Sequence, residues 1–225
     1  MSTAPARITA LVPMRHHSER VPGKNYRMFA GKPLYAHIIE TLLACPQIDQ
    51  IAVDTDSPII LEGLVKNYPD VICIERPQEL CGGMVSMNDI LAYDSERVIS
   101  SFYLQTHSTN PLLRTETIEA AIHAYLQVYP AYDALFSVTR FQTRLWDAAG
   151  KPVNHNPGEL IRTQDLKPLY IENSCIYLFE REAFIQTKNR YCAQPKMFEI
   201  DAIEAIDIDE EIDFQMAESL ASRSL

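Results

Sequence analysis

Short apolar runs that alternate with amphipathic stretches of about a dozen residues constrain this chain more than any other feature. Residues 8–12 read as a buried strand, and residues 33–44 carry an apolar stripe at 34, 35, 38, 39, 42 and 43 behind Pro33. Gln50-Ile51-Ala52-Val53 gives a second strand ending in Asp54-Thr55-Asp56. Ser57-Pro58 then opens a helix with a cap and an early proline. Residues 71–74 form a third strand, Ser86-x-x-Asp89 is a capping box, and residues 101–105 form a fourth strand. A helix beginning after Thr115 carries Ile118, Ala121, Ile122, Tyr125 and Leu126 on one face, and residues 134–138 make the fifth strand. This order predicts an α/β domain with a mostly parallel, doubly wound, Rossmann-like sheet. Ligands of such sheets sit outside the carboxyl ends of the strands, and the loops 13–25, 54–57, 75–86, 105–114 and 139–146 all fall there.

The first of these loops reads Pro13-Met14-Arg15-His16-His17-Ser18-Glu19-Arg20-Val21-Pro22-Gly23-Lys24-Asn25, with three cations in ten residues. Fixed positive charge at a strand's carboxyl end suits a polyphosphate, because phosphoryl transfer asks for positioning and electrostatics more than covalent chemistry. The competing reading is a solvated basic loop. None of the three Gly-Lys pairs, at 23–24, 31–32 and 150–151, is followed by Ser or Thr, so a Walker loop is excluded. Near the other end stands Ile206-Asp207-Ile208-Asp209. In a strand, residues two apart share a face, so Asp207 and Asp209 converge while the isoleucines pack inward. Paired carboxylates are hard oxygen ligands of the kind that hold Mg²⁺ together with substrate phosphates. The alternative is acidic enrichment of the first turn of the next helix, which is the reading for Glu210 and Glu211.

A net charge of −10 argues against a nucleic-acid or anionic-membrane surface, so cationic chemistry must be local. No apolar run has the length of a membrane span, and residues 1–7 lack the apolar core of a signal peptide. Five cysteines without a C-x-x-C pair read as reduced thiols in a cytoplasmic protein.

The loop from residue 12 to 25 resembles the I-P-A-R-G-G-S-K-G-I-P-G-K-N signature of the cytidylyltransferases that activate acidic sugars, whose members make CMP-sialic acid and CMP-Kdo. The proline, Arg15, Ser18 and the closing Pro22-Gly23-Lys24-Asn25 match, whereas His16-His17 replaces two glycines and Glu19 replaces a lysine. Further matches follow in family order. Arg76-Pro77 and Ser86 resemble the segment around the cytosine, and residues 104–114 resemble L-L-Q-P-T-S-P-L-R with about two residues inserted. Arg162-Thr163-Gln164-Asp165 resembles R-x-Q-D-L-P-x-Y, Tyr170-Ile171-Glu172-Asn173 resembles Y-I-E-N-G-A-I-Y, and residues 206–213 match I-D-I-D-x-x-x-D with Asp213 third.

The resemblance implies a nucleotide-diphospho-sugar transferase type of sheet that moves CMP from CTP to an acidic sugar, with Mg²⁺ on Asp207 and Asp209. It implies nucleotide contacts from Pro13, Met14, Arg15, Ser18, Lys24, Asn25, Arg76 and Ser86, with Arg15 and Lys24 catalytic. Gln105 and Arg162 become sugar contacts. It also implies a core of residues 1–140 and 170–225, and an inserted extension, 141–169, that dimerises and covers the partner's sugar pocket. For Ser86 a plain helix cap is equally open, and for Arg76 a loop-steadying role. Two other readings remain: a non-catalytic relative that binds nucleotide or a partner, motivated by the His16-His17 and Glu19 departures, and a glycosyltransferase using Asp54-Thr55-Asp56 as a D-x-D. Which acidic sugar is used, and which base takes its hydroxyl proton, the sequence leaves open.

Overall fold

The apolar runs become strands because their β-branched and aromatic side chains fill both faces of a buried ladder. In the computed structural model, which describes residues 7–222, the order is β1 (Ile8–Leu11), β2 (Met28–Phe29), β3 (Lys32–Pro33), α1 (Leu34–Leu43), β4 (Gln50–Thr55), α2 (Pro58–Asn67), β5 (Ile72–Glu75) and α3 (Met87–Arg97). Then come β6 (Phe102–Gln105), α4 (Thr115–Val128), β7 (Ala134–Phe141), β8 (Leu169–Glu180), α5 (Arg181–Thr187), β9 (Pro195–Glu199) and α6 (Glu211–Ala221). Seven strands form one sheet in the order β5-β4-β1-β6-β8-β7-β9, and β2 and β3 make a separate small hairpin.

Strands β5, β4, β1 and β6 run parallel, β9 runs parallel to β7, and β8 alone is reversed between β6 and β7. All four residues of β1 and of β6 are buried, as expected of central parallel strands covered on both faces. One cluster, including Ile38, Ile39, Ile118 and Ile122, packs α1 and α4 on one face. Another, with Leu91 and Phe184, packs α3 and α5 on the other. A third cluster of Val21, Phe29, Leu34, Ile208, Phe214 and Ala217 ties the loop after β1 to α6 and to the segment preceding it.

Two expectations change. Residues 206–209 belong to no strand: Ile208 N donates to Thr109 O (2.9 Å) and Asn110 Nδ2 to Ile206 O (3.3 Å), so loop groups take the place of a ladder. The expected alternation holds only at its end, where Ile208 is fully buried and Asp209 half-exposed, whereas Ile206 and Asp207 are both half-buried. The fifth strand also runs three residues beyond the predicted end at 138. Val138–Phe141 pair with Leu169–Glu172 past a register shift after Phe136, so the segment 141–169 hangs from a long antiparallel pair. Within it are a Trp146–Pro152 bridge and a short 3₁₀ turn, Thr163–Asp165. No helix among the described residues is long and apolar enough to cross a membrane.

Candidate active site

The loop after β1 is held in place by its own departures from regular structure. Val12 N and Met14 N donate to Ala52 O (2.9 Å) and Asp54 O (2.8 Å), carrying the chain along β4 past the end of β1. His16 then latches the loop to the β4–α2 turn: its backbone N–H donates to Asp56 Oδ1 (2.6 Å) and its Nδ1 lies 2.8 Å from Ser57 Oγ. The ring also stacks on Tyr26 at 5.2 Å. Gly23 turns the chain at φ 67, and a Cβ there would lie 2.8 Å from the Tyr26 ring, so glycine is required by both conformation and space. Asn25 donates to Arg15 O (2.7 Å) and accepts from Ser108 Oγ (2.8 Å), stitching the loop to the one after β6.

These loops and the turn at 80–85 enclose a cavity of about 660 Å³ over the carboxyl ends of β1, β4, β5 and β6. Pro13, Met14, Arg15, Ser18, Lys24, Asn25, Arg76 and Asp209 line it. Met14 is buried against the core, and its backbone continues the pairing with β4 through a bridge to Thr55. Arg15 is exposed and forms no ion pair among the described residues. Lys24 is nearly buried; it donates to Ile208 O and lies 3.8 Å from Asp209. Burial holds its ammonium below the usual lysine range, against the pull of Asp207 and Asp209. Arg20 pairs with Asp209 (2.8 Å) and Glu210 (3.2 Å) across the cavity mouth.

Arg76 is fully buried against Asp54 and also donates to its carbonyl at 3.3 Å, so it steadies the floor of the cavity. Behind it Asp94 is pushed up to about 9 by burial and by Asp54, so at neutral pH this pair holds one proton. The Asp54–Asp94 pairing was not visible in the sequence, because Asp94 sits inside α3, far along the chain from Asp54. All five thiols are free, and burial pushes each above its usual value, which disfavours a thiolate nucleophile.

Four expected site residues lie off the cavity wall. Ser86 caps α3, accepting from Asp89 N at 3.2 Å. Gln105 is fully buried, its amide engaged by Arg190 and His107, which differs from a sugar contact. Arg162 is exposed in the extension and pairs with Asp165 at 2.7 Å. Asp207 sits just behind the wall, where Asp209 and Lys24 act on it. Sequence reasoning missed Arg27, which grips Glu211 at 2.6 and 2.8 Å and lies over Phe214, fixing the start of α6 beside the loop. Arg114 anchors the loop before α4, with its backbone N–H and Nε both on Glu204 (3.0 and 2.9 Å).

Asp207 Oδ1 is sealed from solvent with no hydrogen-bond partner, and burial raises its carboxyl above the usual range, with Asp209 adding to the rise. An orphaned carboxylate oxygen beside a second carboxylate is a donor set that fits a hard divalent cation. No group of three or more potential metal ligands occurs among the described residues, so any cation here must draw other ligands from substrate or water.

A nucleotide-type sheet, with cations on the β1 loop facing a carboxylate pair above its parallel half, defines a nucleotidyltransferase. Residues 9–223 match the family described as Cytidylyltransferase, and the chain belongs to that family. It is 30% identical to a CMP-N,N'-diacetyllegionaminic acid synthase of Legionella pneumophila, over 95% of this chain and 96% of that protein. It is 26% identical to a pseudaminic acid cytidylyltransferase of Campylobacter jejuni, over 93% of this chain and 94% of that one. Against N-acylneuraminate cytidylyltransferase A of Danio rerio, at 25% identity, it spans 54% of the relative's length. A solved CMP:2-keto-3-deoxy-manno-octonic acid synthetase complexed with CTP shares the fold, with a TM-score of 0.74 at 16% identity over 98% of this chain and 100% of its own. Cytidylyltransferases of this kind are generally metal-dependent.

Proposed function

We propose that this protein transfers CMP from CTP to the hydroxyl of an acidic sugar, a sialic-acid-like nonulosonate or a Kdo-like octulosonate, and releases pyrophosphate. The observation that carries the reading is the meeting of Arg15, Lys24 and Asp209 in one cavity, with Asp207 directly behind. The relatives from Legionella and Campylobacter, named for legionaminic and pseudaminic acids and matching nearly the whole chain, favour the nonulosonate. The sugar oxygen attacks the α-phosphorus in line, a new O–P bond forms, and the bond to the bridging α–β oxygen breaks. Arg15 donates to the triphosphate as a two-pronged group and Lys24 as a point charge, both aimed where negative charge develops. Asp207 and Asp209 are the residues that would hold Mg²⁺, which would supply Lewis-acid neutralisation of the phosphate oxygens. Asn25 orients the loop, Ser18 faces the nucleotide from the cavity wall, and Pro13 and Met14 with Arg76 border it.

The extension, residues 141–169, serves a homodimer, and Arg162 reaches the neighbouring subunit's sugar carboxylate. Support comes from apolar groups left to water in and beside it: Trp146, Val153, Leu160 and Ile171 are 55, 56, 90 and 48% exposed. Free thiols fit a cytoplasmic setting. The test is chromatography of reaction mixtures holding CTP, Mg²⁺ and one acidic sugar at a time. A CMP-sugar forming with at least one of N-acetylneuraminate, a legionaminate, a pseudaminate or Kdo supports the reading, and none with any of them overturns it.

A further inference from the structure

Arg190, between α5 and β9, is nearly buried and lies 3.5 Å over the Tyr177 ring. Glu172 is 3.8 Å from its guanidinium, and its backbone N–H donates to Asn88 Oδ1 at 3.2 Å. Its Nη1 donates to Gln105 Oε1 at 2.7 Å. A guanidinium only donates, so the Gln105 atom facing it must be the oxygen. The carbonyl of Thr106 leads to the same orientation independently, since it only accepts and lies 3.2 Å from Gln105 Nε2.

That same Nε2 lies 2.8 Å from His107 Nε2. A donor amide at that distance requires the ring nitrogen to be an acceptor, so the neutral ring carries its proton on Nδ1. Burial first, then the charges of Arg190 and Lys24, push His107 down to about 4, which keeps the ring neutral near pH 7. The ring lines the cavity with Ser108, Thr109 and Lys24. Its Nδ1 has no protein partner among the described residues and is not sealed from solvent.

We propose that Arg190 acts through Gln105 to hold His107 with its proton on Nδ1, and that this N–H is a hydrogen-bond donor to an oxygen of the bound nucleotide. Arg190 and Gln105 are positioning residues, and His107 makes the contact. The identity of the ligand rests on the function proposed above, whereas the tautomer does not. A ring held this way accepts no proton at Nδ1, so His107 is a donor and not the base that relieves the sugar hydroxyl of its proton.

The experiment is ¹H–¹⁵N NMR of the histidine rings in the full-length protein at pH 7, with and without CTP. His107 is expected to show a protonated Nδ1 and a bare Nε2, and saturating CTP should displace the Nδ1–H signal. Cytidine and inorganic pyrophosphate, added separately, tell whether a ribose or a phosphate oxygen is the acceptor. Arg190→Met should scramble the tautomer and lower kcat/KM about tenfold, the scale of one neutral hydrogen bond. Arg190→Lys, which still donates to Gln105, should restore both. A proton on Nε2, a doubly protonated ring, or an unchanged tautomer in Arg190→Met overturns the relay. An Nδ1–H signal unmoved by CTP that calorimetry shows to be bound overturns the contact. Failure of the proposed function reads differently, as no CTP binding at all with the tautomer intact; it removes the nucleotide as acceptor and leaves the relay standing.

Discussion

Lys24→Met removes one charge and keeps most of the aliphatic stem, so its effect isolates the ammonium. The side chain is only 12% exposed, and its Nζ lies 3.8 Å from Asp209, at the edge of the cavity. Two unit charges about 4 Å apart at an effective dielectric near 20 interact by about 4 kcal/mol. The open mouth of the cavity screens part of this. Loss of one preorganised donor to a developing oxyanion costs about 3 kcal/mol, roughly a hundredfold in rate. The variant should therefore lose about two orders of magnitude in kcat/KM in a pyrophosphate-release assay with CTP, Mg²⁺ and the acidic sugar. Burial lowers the lysine from its usual value. Activity in the parent should accordingly fall, as pH rises, earlier than for an ordinary lysine, and this limb should be absent from the variant. A loss of less than about tenfold, or an unchanged alkaline limb, would refute the assignment of Lys24 to the triphosphate.

Asp209→Ala should abolish Mg²⁺-dependent turnover with an unchanged circular dichroism spectrum, and retained turnover at saturating substrates would count against the metal assignment. Arg20 occupies Asp209 and Glu210 across the cavity mouth, so Arg20→Gln should tighten apparent Mg²⁺ affinity in a titration of initial rates; weaker affinity would contradict competition between cation and arginine. Asp94, pushed up to about 9, keeps in the folded state a proton that the unfolded chain releases near pH 4. Its contribution therefore makes stability fall as pH rises between those values. Asp94→Asn should flatten Tm measured from pH 5 to pH 9, and an unchanged slope would refute the shift. Removal of residues 146–160 should turn a dimer into a monomer in sedimentation velocity, and a monomeric parent at micromolar concentration would end the dimer proposal.

The parallel half of the sheet was legible because each central strand is a continuous apolar run bounded by turn residues, and helices with matched stripes separate them. The β1 loop and the Asp207-Asp209 pair were legible as local patterns of charge and spacing. Reversal of β8 was not, since periodicity carries no direction, and β9 was missed because Pro195–Glu199 alternates exposed and half-buried positions at a sheet edge. Arg190 escaped for another reason: its partner Gln105 is 85 residues away in sequence, and only the fold joins them. Gln105 itself was picked out by resemblance, but it lies fully buried behind the cavity wall, 2.8 Å from His107, which no local pattern foretells. His16 illustrates the converse. In the sequence it is a departure from two glycines, yet its backbone N–H on Asp56 and its ring on Ser57 tether this loop to the β4–α2 turn.

Glu19 stands exposed at the cavity, a carboxylate where the family signature has a lysine, and it motivates the reading of a non-catalytic relative. The most direct measurement is sugar-dependent pyrophosphate release by the unmodified protein, with calorimetric titration of CTP alongside. Turnover that requires CTP, Mg²⁺ and an acidic sugar together is the result expected here. CTP binding without pyrophosphate release for any acidic sugar would contradict catalysis, and absence of both would contradict the nucleotide site itself.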